Sequence, residues 1–116
     1  MPIPMNDAPL TLPFLSRAYG DSELSPASLV EEIWRRIERD RERASGVWLY
    51  VETRDRVAAQ LARLEERRLA GELMPLYGVP FAVKDNIDVA GAPTTAGCTA
   101  FARAASSSAS VVARLM

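Results

Sequence analysis

The stretch from Ser25 to Gly46 constrains the fold more than any other part of the chain. Ser25 suits a helix N-cap, since its hydroxyl accepts from a free first-turn amide, and Pro26 suits the first helical position. Leu29, Val30, Ile33, Trp34 and Ile37 then recur at helical spacing and form one apolar stripe. Arginines and glutamates occupy the other face until Ser45-Gly46, and the interleaved run Glu38 to Arg43 reads as a solvated surface. A helix of this kind needs cover along its stripe. A second such pattern follows, with Thr53 as cap, Val57, Leu61 and Leu64 facing inward, and Gly71 as the stop. Thr11 to Tyr19 predicts a shorter helix closed by Gly20, and Ser108 caps a last one that begins at Ala109 and carries Val111, Val112 and Leu115.

Two β-type segments lie between these helices. Val47 to Val51 (VWLYV) predicts one buried strand, and Phe81-Ala82-Val83 a second that runs into Lys84. Pro75 to Pro80 is a loop, and Ile87 to Thr95 predicts a hairpin or wide turn. The order of helix, helix, strand, helix, strand, hairpin, helix implies an α/β architecture. So few strands do not finish a sheet, and a last helix of about eight residues is marginal without a partner surface. The expectation is therefore one incomplete α/β domain over residues 1–116, without repeat or linker, with residues 1–9 as a disordered tail.

Composition narrows the chemistry. A net charge of -1 provides no field for nucleic acid or an anionic membrane. No apolar run approaches the ~20 residues that span a bilayer. The start lacks a basic segment followed by an apolar one, and a single cysteine forms no internal disulfide. These features predict a cytoplasmic protein without nucleic-acid or membrane partners. The chain has no histidine, which removes Ser-His-Asp and Cys-His mechanisms and the usual zinc sites within it. No metal or cofactor is expected. Acid–base chemistry must then run on lysine, carboxylates, tyrosine or the thiol.

Leu76 to Thr95 reads LYGVPFAVKDNIDVAGAPTT and holds Lys84, the only lysine among 14 basic residues. An ordinary lysine, at about 10.4, is only roughly 0.04% neutral at pH 7. Shifting one to about 7 costs near 4.6 kcal/mol, roughly 1.36 per unit, and burial at a strand end is the means expected here. Arginine does not deprotonate in this range, so a general base of this type must be Lys84. The residues alone favour the plainer alternative, in which Lys84 snorkels from a strand end or pairs with Asp85 or Asp88. Cys98 reads as a small buried hydrophobe, Tyr77 as packing, and Ser106-Ser107-Ser108 as loop and cap. Thr94-Thr95 either lines a site or closes the hairpin.

The segment GVPFAVKDNIDVAGAPTTAG, residues 78–97, resembles the start of the amidase signature domain. Val83-Lys84-Asp85 corresponds to that family's lysine motif after a Gly-Val-Pro turn. PFAVKDNIDVAG, with Phe81 and Asn86-Ile87-Asp88, looks more like allophanate hydrolases than general amidases, and SASVVARL (108–115) is similar to the family's DATVVARL. The resemblance runs from about Leu15 to Met116. It implies the amino-terminal part of a mixed-sheet α/β/α domain and a Ser-cisSer-Lys triad in which Lys84 is the base. It also implies a small-molecule amide substrate and a possible homodimer of the full-length enzyme. The family's two serines belong to a Gly-Gly-Ser-Ser-Gly-like segment that this sequence does not contain, so the chain alone is expected to be catalytically silent. Rival readings are the glutaminase subunit of a tRNA-dependent amidotransferase, a non-catalytic module docking through its two long helices, and a dead remnant.

Overall fold

A computed structural model describes residues 8–116. The tail expected over residues 1–9 lies, apart from Ala8 and Pro9, outside the described residues. The elements are α1 (Leu12–Gly20), α2 (Pro26–Glu42), α3 (Arg54–Leu69), β1 (Pro93–Thr94), a 3-10 turn (Thr99–Phe101), β2 (Arg103–Ala104) and α4 (Ser110–Leu115). The chain divides into two compact units. The helical unit holds residues 8–45 with Thr53–Pro80, and the loop unit holds Gly46–Glu52 with Phe81–Met116.

Each long helix of the helical unit starts at a side-chain cap. Ser25 accepts from the Ser28 amide at 3.2 Å while the Ser28 hydroxyl accepts from the Ser25 amide at 3.1 Å, a reciprocal box with Pro26 at the first position. Thr53 accepts from the Arg56 amide at 3.3 Å, and Thr11 does the same for Phe14 in α1 at 3.3 Å. Leu15, Ala18, Leu29 and Ile37 are buried. Arg54 stacks its guanidinium 4.2 Å from the centroid of the Trp34 ring and bonds Glu31 at 2.6 Å, which ties the start of α3 to α2. Val57, Leu61 and Leu64 are only half-buried, so the inward face of α3 is partly covered.

One acidic residue departs from the expected solvated face. Glu32 is 3% exposed and meets Arg36 at 3.1 Å, Arg35 at 3.3 Å and Arg39 at 3.6 Å. A buried carboxylate is tolerated only with partners, and helical spacing places the arginines three, four and seven residues on.

In the loop unit the sheet consists of β1 and β2, antiparallel, with Pro93 opposite Ala104 and Thr94 opposite Arg103. The strands predicted at Val47–Val51 and Phe81–Val83 are not formed. A strand is stabilised by a neighbour that takes its amides and carbonyls, and neither segment joins the β1–β2 ladder. Consistent with this, Val47, Leu49 and Phe81 are exposed rather than buried. The turn at Val89–Ala92 does form, closed by the Ala92 amide on the Val89 carbonyl at 3.0 Å with Gly91 at φ 78. Its pairing, however, runs on to residues 103–104 instead of closing before Thr95. Helices with a small antiparallel sheet are compatible with α/β, and the described residues add no further strand.

The last helix also starts differently from the sequence expectation. α4 begins at Ser110, its N-cap is Ala109, and no side chain caps it. Ser108 instead accepts the Ala90 amide at 2.9 Å, while the Ala109 amide ends on the Asp88 carbonyl at 2.9 Å.

Candidate active site

Lys84 lies on an irregular segment followed at once by a turn, its carbonyl accepting the Ile87 amide at 2.9 Å. Its side chain is exposed. The burial at a strand end expected from the sequence is not supplied by the described residues, because that strand does not form.

Asp85 is turned toward the Thr95–Cys98 turn. The amides of three successive residues end on it: Thr95 on Oδ1 at 3.0 Å, Ala96 on the main-chain carbonyl at 3.0 Å, and Gly97 on Oδ2 at 3.0 Å. The Thr95 hydroxyl adds a further bond to Oδ2. These donors, the Thr95 hydroxyl first and the Gly97 amide next, hold the Asp85 carboxyl below its ordinary range. The turn they secure is strained at Ala96, whose φ is 52, while Gly97 takes φ 77 without a Cβ penalty, and it is closed by the Cys98 amide on the Thr95 carbonyl at 3.0 Å.

Asp88 is committed in the same way. Its Oδ1 accepts from the Thr94 hydroxyl at 2.9 Å, and Arg103 of β2 bonds both oxygens at 2.8 and 2.9 Å. Arg103 first, then Thr94, holds this carboxyl low. Both aspartates are thus tied to β1, β2 or the turn between them, and among the described residues no carboxylate pairs with Lys84. Thr94 is buried and Thr95 half-buried, and each serves as an anchor for one aspartate.

The remaining candidates separate. Cys98 is exposed, which overturns its reading as a buried hydrophobe. Ser106 and Ser107 are exposed, and Ser108 is the Ala90 anchor described above. Tyr77, in the helical unit, does more than pack: its hydroxyl donates to Glu65 at 2.9 Å and its ring meets Tyr19 edge-on at 6.0 Å. These groups line an open cleft of about 510 Å³ with Leu24, Pro26 and Arg68. Burial, then the neighbouring Tyr77, pushes the Tyr19 hydroxyl up to about 12, and that hydroxyl donates to the Gly78 carbonyl at 2.8 Å. Arg68, then Tyr77, lowers Glu65 to about 2. The described part of the chain contains no cluster of three or more His, Cys, Asp or Glu placed to hold a metal. It also contains no helix long and apolar enough to cross a membrane.

Comparison with known proteins decides the family. The model of the Amidase family matches residues 28–116, which include Lys84 and both anchored aspartates. The chain belongs to the amidase family. It is 40% identical over 102 residues to "Putative amidase AmiB2" of Mycobacterium bovis, a match covering 86% of this chain and 21% of that protein. It is 46% identical over 65 residues to urea amidolyase of Saccharomyces cerevisiae, covering 56% of this chain and 4% of that protein. To a glutamyl-tRNA(Gln) amidotransferase subunit of Deinococcus deserti it is 39% identical over 83 residues, covering 72% of this chain and 16% of that protein. This amidase chain thus spans about a fifth or less of the length of these relatives.

Proposed function

We propose that this chain is the amino-terminal portion of an amidase domain that hydrolyses an amide C–N bond, with Lys84 as its general base. The observation that carries the reading is Lys84 itself. It is an exposed amine inside the family match, on a loop whose two nearby carboxylates are bonded elsewhere. A carboxylate at contact distance would favour the ammonium and oppose base chemistry, so the commitment of Asp85 and Asp88 to other donors suits the role. Desolvation of Lys84 then has to come from parts of the enzyme beyond this segment.

In the mechanism that the resemblance implies, neutral Lys84 takes a proton from a bridging serine, which takes one from the nucleophilic serine. That serine attacks the amide carbonyl, ammonia departs, and water hydrolyses the acyl-enzyme. As substrate we propose allophanate, on the strength of Phe81 and the Asn86-Ile87-Asp88 continuation; the enzyme is read as a cytoplasmic homodimer. Ammonia release by the complete polypeptide carrying this segment, assayed with allophanate and with glutamine, tests the reading. Turnover of allophanate with loss in Lys84→Ala and Lys84→Arg, fold retained, is expected. Preference for glutamine would assign the chain to the amidotransferases, and full turnover in Lys84→Ala would remove the base.

A further inference from the structure

Asp85 is an unusual neighbour for a catalytic amine, because one residue receives the amides of Thr95, Ala96 and Gly97 in succession. An ionised carboxylate suits this because it only accepts: one oxygen faces the Thr95 amide and the other the Gly97 amide and the Thr95 hydroxyl. An asparagine of the same shape would turn an NH2 group toward one of those donors. The turn so gripped contains a non-glycine residue at φ 52, a conformation that persists only where its surroundings enforce it. The main chain immediately after Lys84 is therefore fixed to a second piece of backbone ten to twelve residues on. The same bonds direct the carboxylate into the turn and so withhold it from the adjacent amine.

We infer that Asp85, gripping the Thr95–Gly97 turn, is the positioning residue for Lys84. It sets the course of the backbone that carries the amine and does not itself touch substrate. The inference rests on the reading of Lys84 as the base. Geometry of this kind acts on turnover more than on substrate binding, and a displacement of the base by an ångström costs up to about a hundredfold.

The test uses the complete amidase polypeptide bearing this segment, with ammonia release from allophanate as readout and rates expressed per folded molecule. Asp85→Asn should lower kcat by about a hundredfold while KM stays within about twofold. Thr95→Val, which removes the hydroxyl but leaves the amide, should lower kcat less. In the 116-residue chain, ¹⁵N relaxation of the Lys84 amide should show new mobility in Asp85→Asn while the α2 amides stay ordered. Unchanged kcat in Asp85→Asn beside an inactive Lys84→Ala would overturn the positioning role and leave the base in place. A fall in activity wholly accounted for by loss of folded protein would overturn it too, making Asp85 merely structural. Normal turnover in Lys84→Ala would instead remove the base, and the positioning role with it.

Discussion

In the helical unit each helix starts from a bond three residues away, and buried Leu15, Ala18, Leu29 and Ile37 supply the core. The loop unit relies on polar bonds over longer separations. Asp85 reaches Thr95 and Gly97, Asp88 reaches Thr94 and Arg103, and Ala90 reaches Ser108, around the few buried apolar residues Ala92, Ala105 and Val112. The contrast teaches that apolar burial and polar anchoring do different work in this chain. The first gives bulk stability, and the second gives a loop one defined course beside Lys84.

Substitutions in the helical unit should have the largest effects and should sharpen that contrast. Leu29 is fully buried, so Leu29→Ala is expected to cost about 3 kcal/mol in urea unfolding, from lost transfer energy and the cavity left behind. A cost under about 1 kcal/mol would mean that the core is not where the buried residues place it. Gly78→Ala comes next. Gly78 sits at φ +66, and an added Cβ would lie 2.5 Å from Pro26 Cγ and 3.2 Å from Tyr19 Cε2. The left-handed backbone and the clash together should cost about 2 kcal/mol. In both variants hydrogen exchange should accelerate in α1 and α2 while the Thr95 and Gly97 amides keep their protection. Equal acceleration throughout would break the contrast and make the two units one cooperative body.

What is legible in the sequence follows the same division. The Ser25-Pro26 and Thr53 helix starts are readable because cap and partner lie within one turn, and the Leu29–Ile37 stripe is readable from its period. Glu32 escapes such a reading because periodicity marks apolar positions and does not show an acid buried beneath its own arginines. The strands at 47–51 and 81–83 do not form because β propensity states that a segment suits a sheet, not that a partner strand is present. Around Lys84, composition leaves pairing with Asp85 or Asp88 open. Only the fold shows that the Asp85 carboxylate takes the Thr95 hydroxyl and the Thr95 and Gly97 amides, and that of Asp88 the Thr94 hydroxyl and the Arg103 guanidinium, since those partners lie six to fifteen residues away. The resemblance to amidases singles out Lys84, but it carries no information about the anchors Thr94, Thr95 and Ser108.

Acid should act on the loop unit first. Hydrogen bonds hold Asp85 and Asp88 below their ordinary range in the folded chain. A carboxyl depressed on folding contributes stability that is complete above its unfolded value, about 3.9, and is lost as pH falls through the lower folded value. Protection of the Thr95 and Gly97 amides should therefore be constant from neutral pH down to about 4 and fall below it. Glu65 is depressed in the same direction, so the Tyr77 contact of the helical unit also weakens in acid. The α1 and α2 amides, which rest on apolar burial, should outlast both. Loss of the α2 amides before those of the turn would reverse the assignment of polar anchoring to the loop unit.

The smallest expected effect concerns the strained turn itself. Ala96 holds φ 52 and Gly97 φ 77, so the first of the two positive-φ positions carries a side chain. Replacing it with glycine removes a left-handed penalty of about 1–2 kcal/mol. It also adds chain entropy to the unfolded state, roughly 0.5–1 kcal/mol in the opposite sense. Ala96→Gly should therefore stabilise the chain by about 0.5 kcal/mol, leave the Thr95 and Gly97 amides on Asp85, and make the turn more tolerant of Asp85→Asn. If the aspartate is what enforces the strained conformation, relieving the strain weakens the need for it, and the two substitutions will be non-additive in a double-mutant cycle. Strict additivity would mean that the turn holds its shape without Asp85, and that the carboxylate is a passenger on a loop already formed.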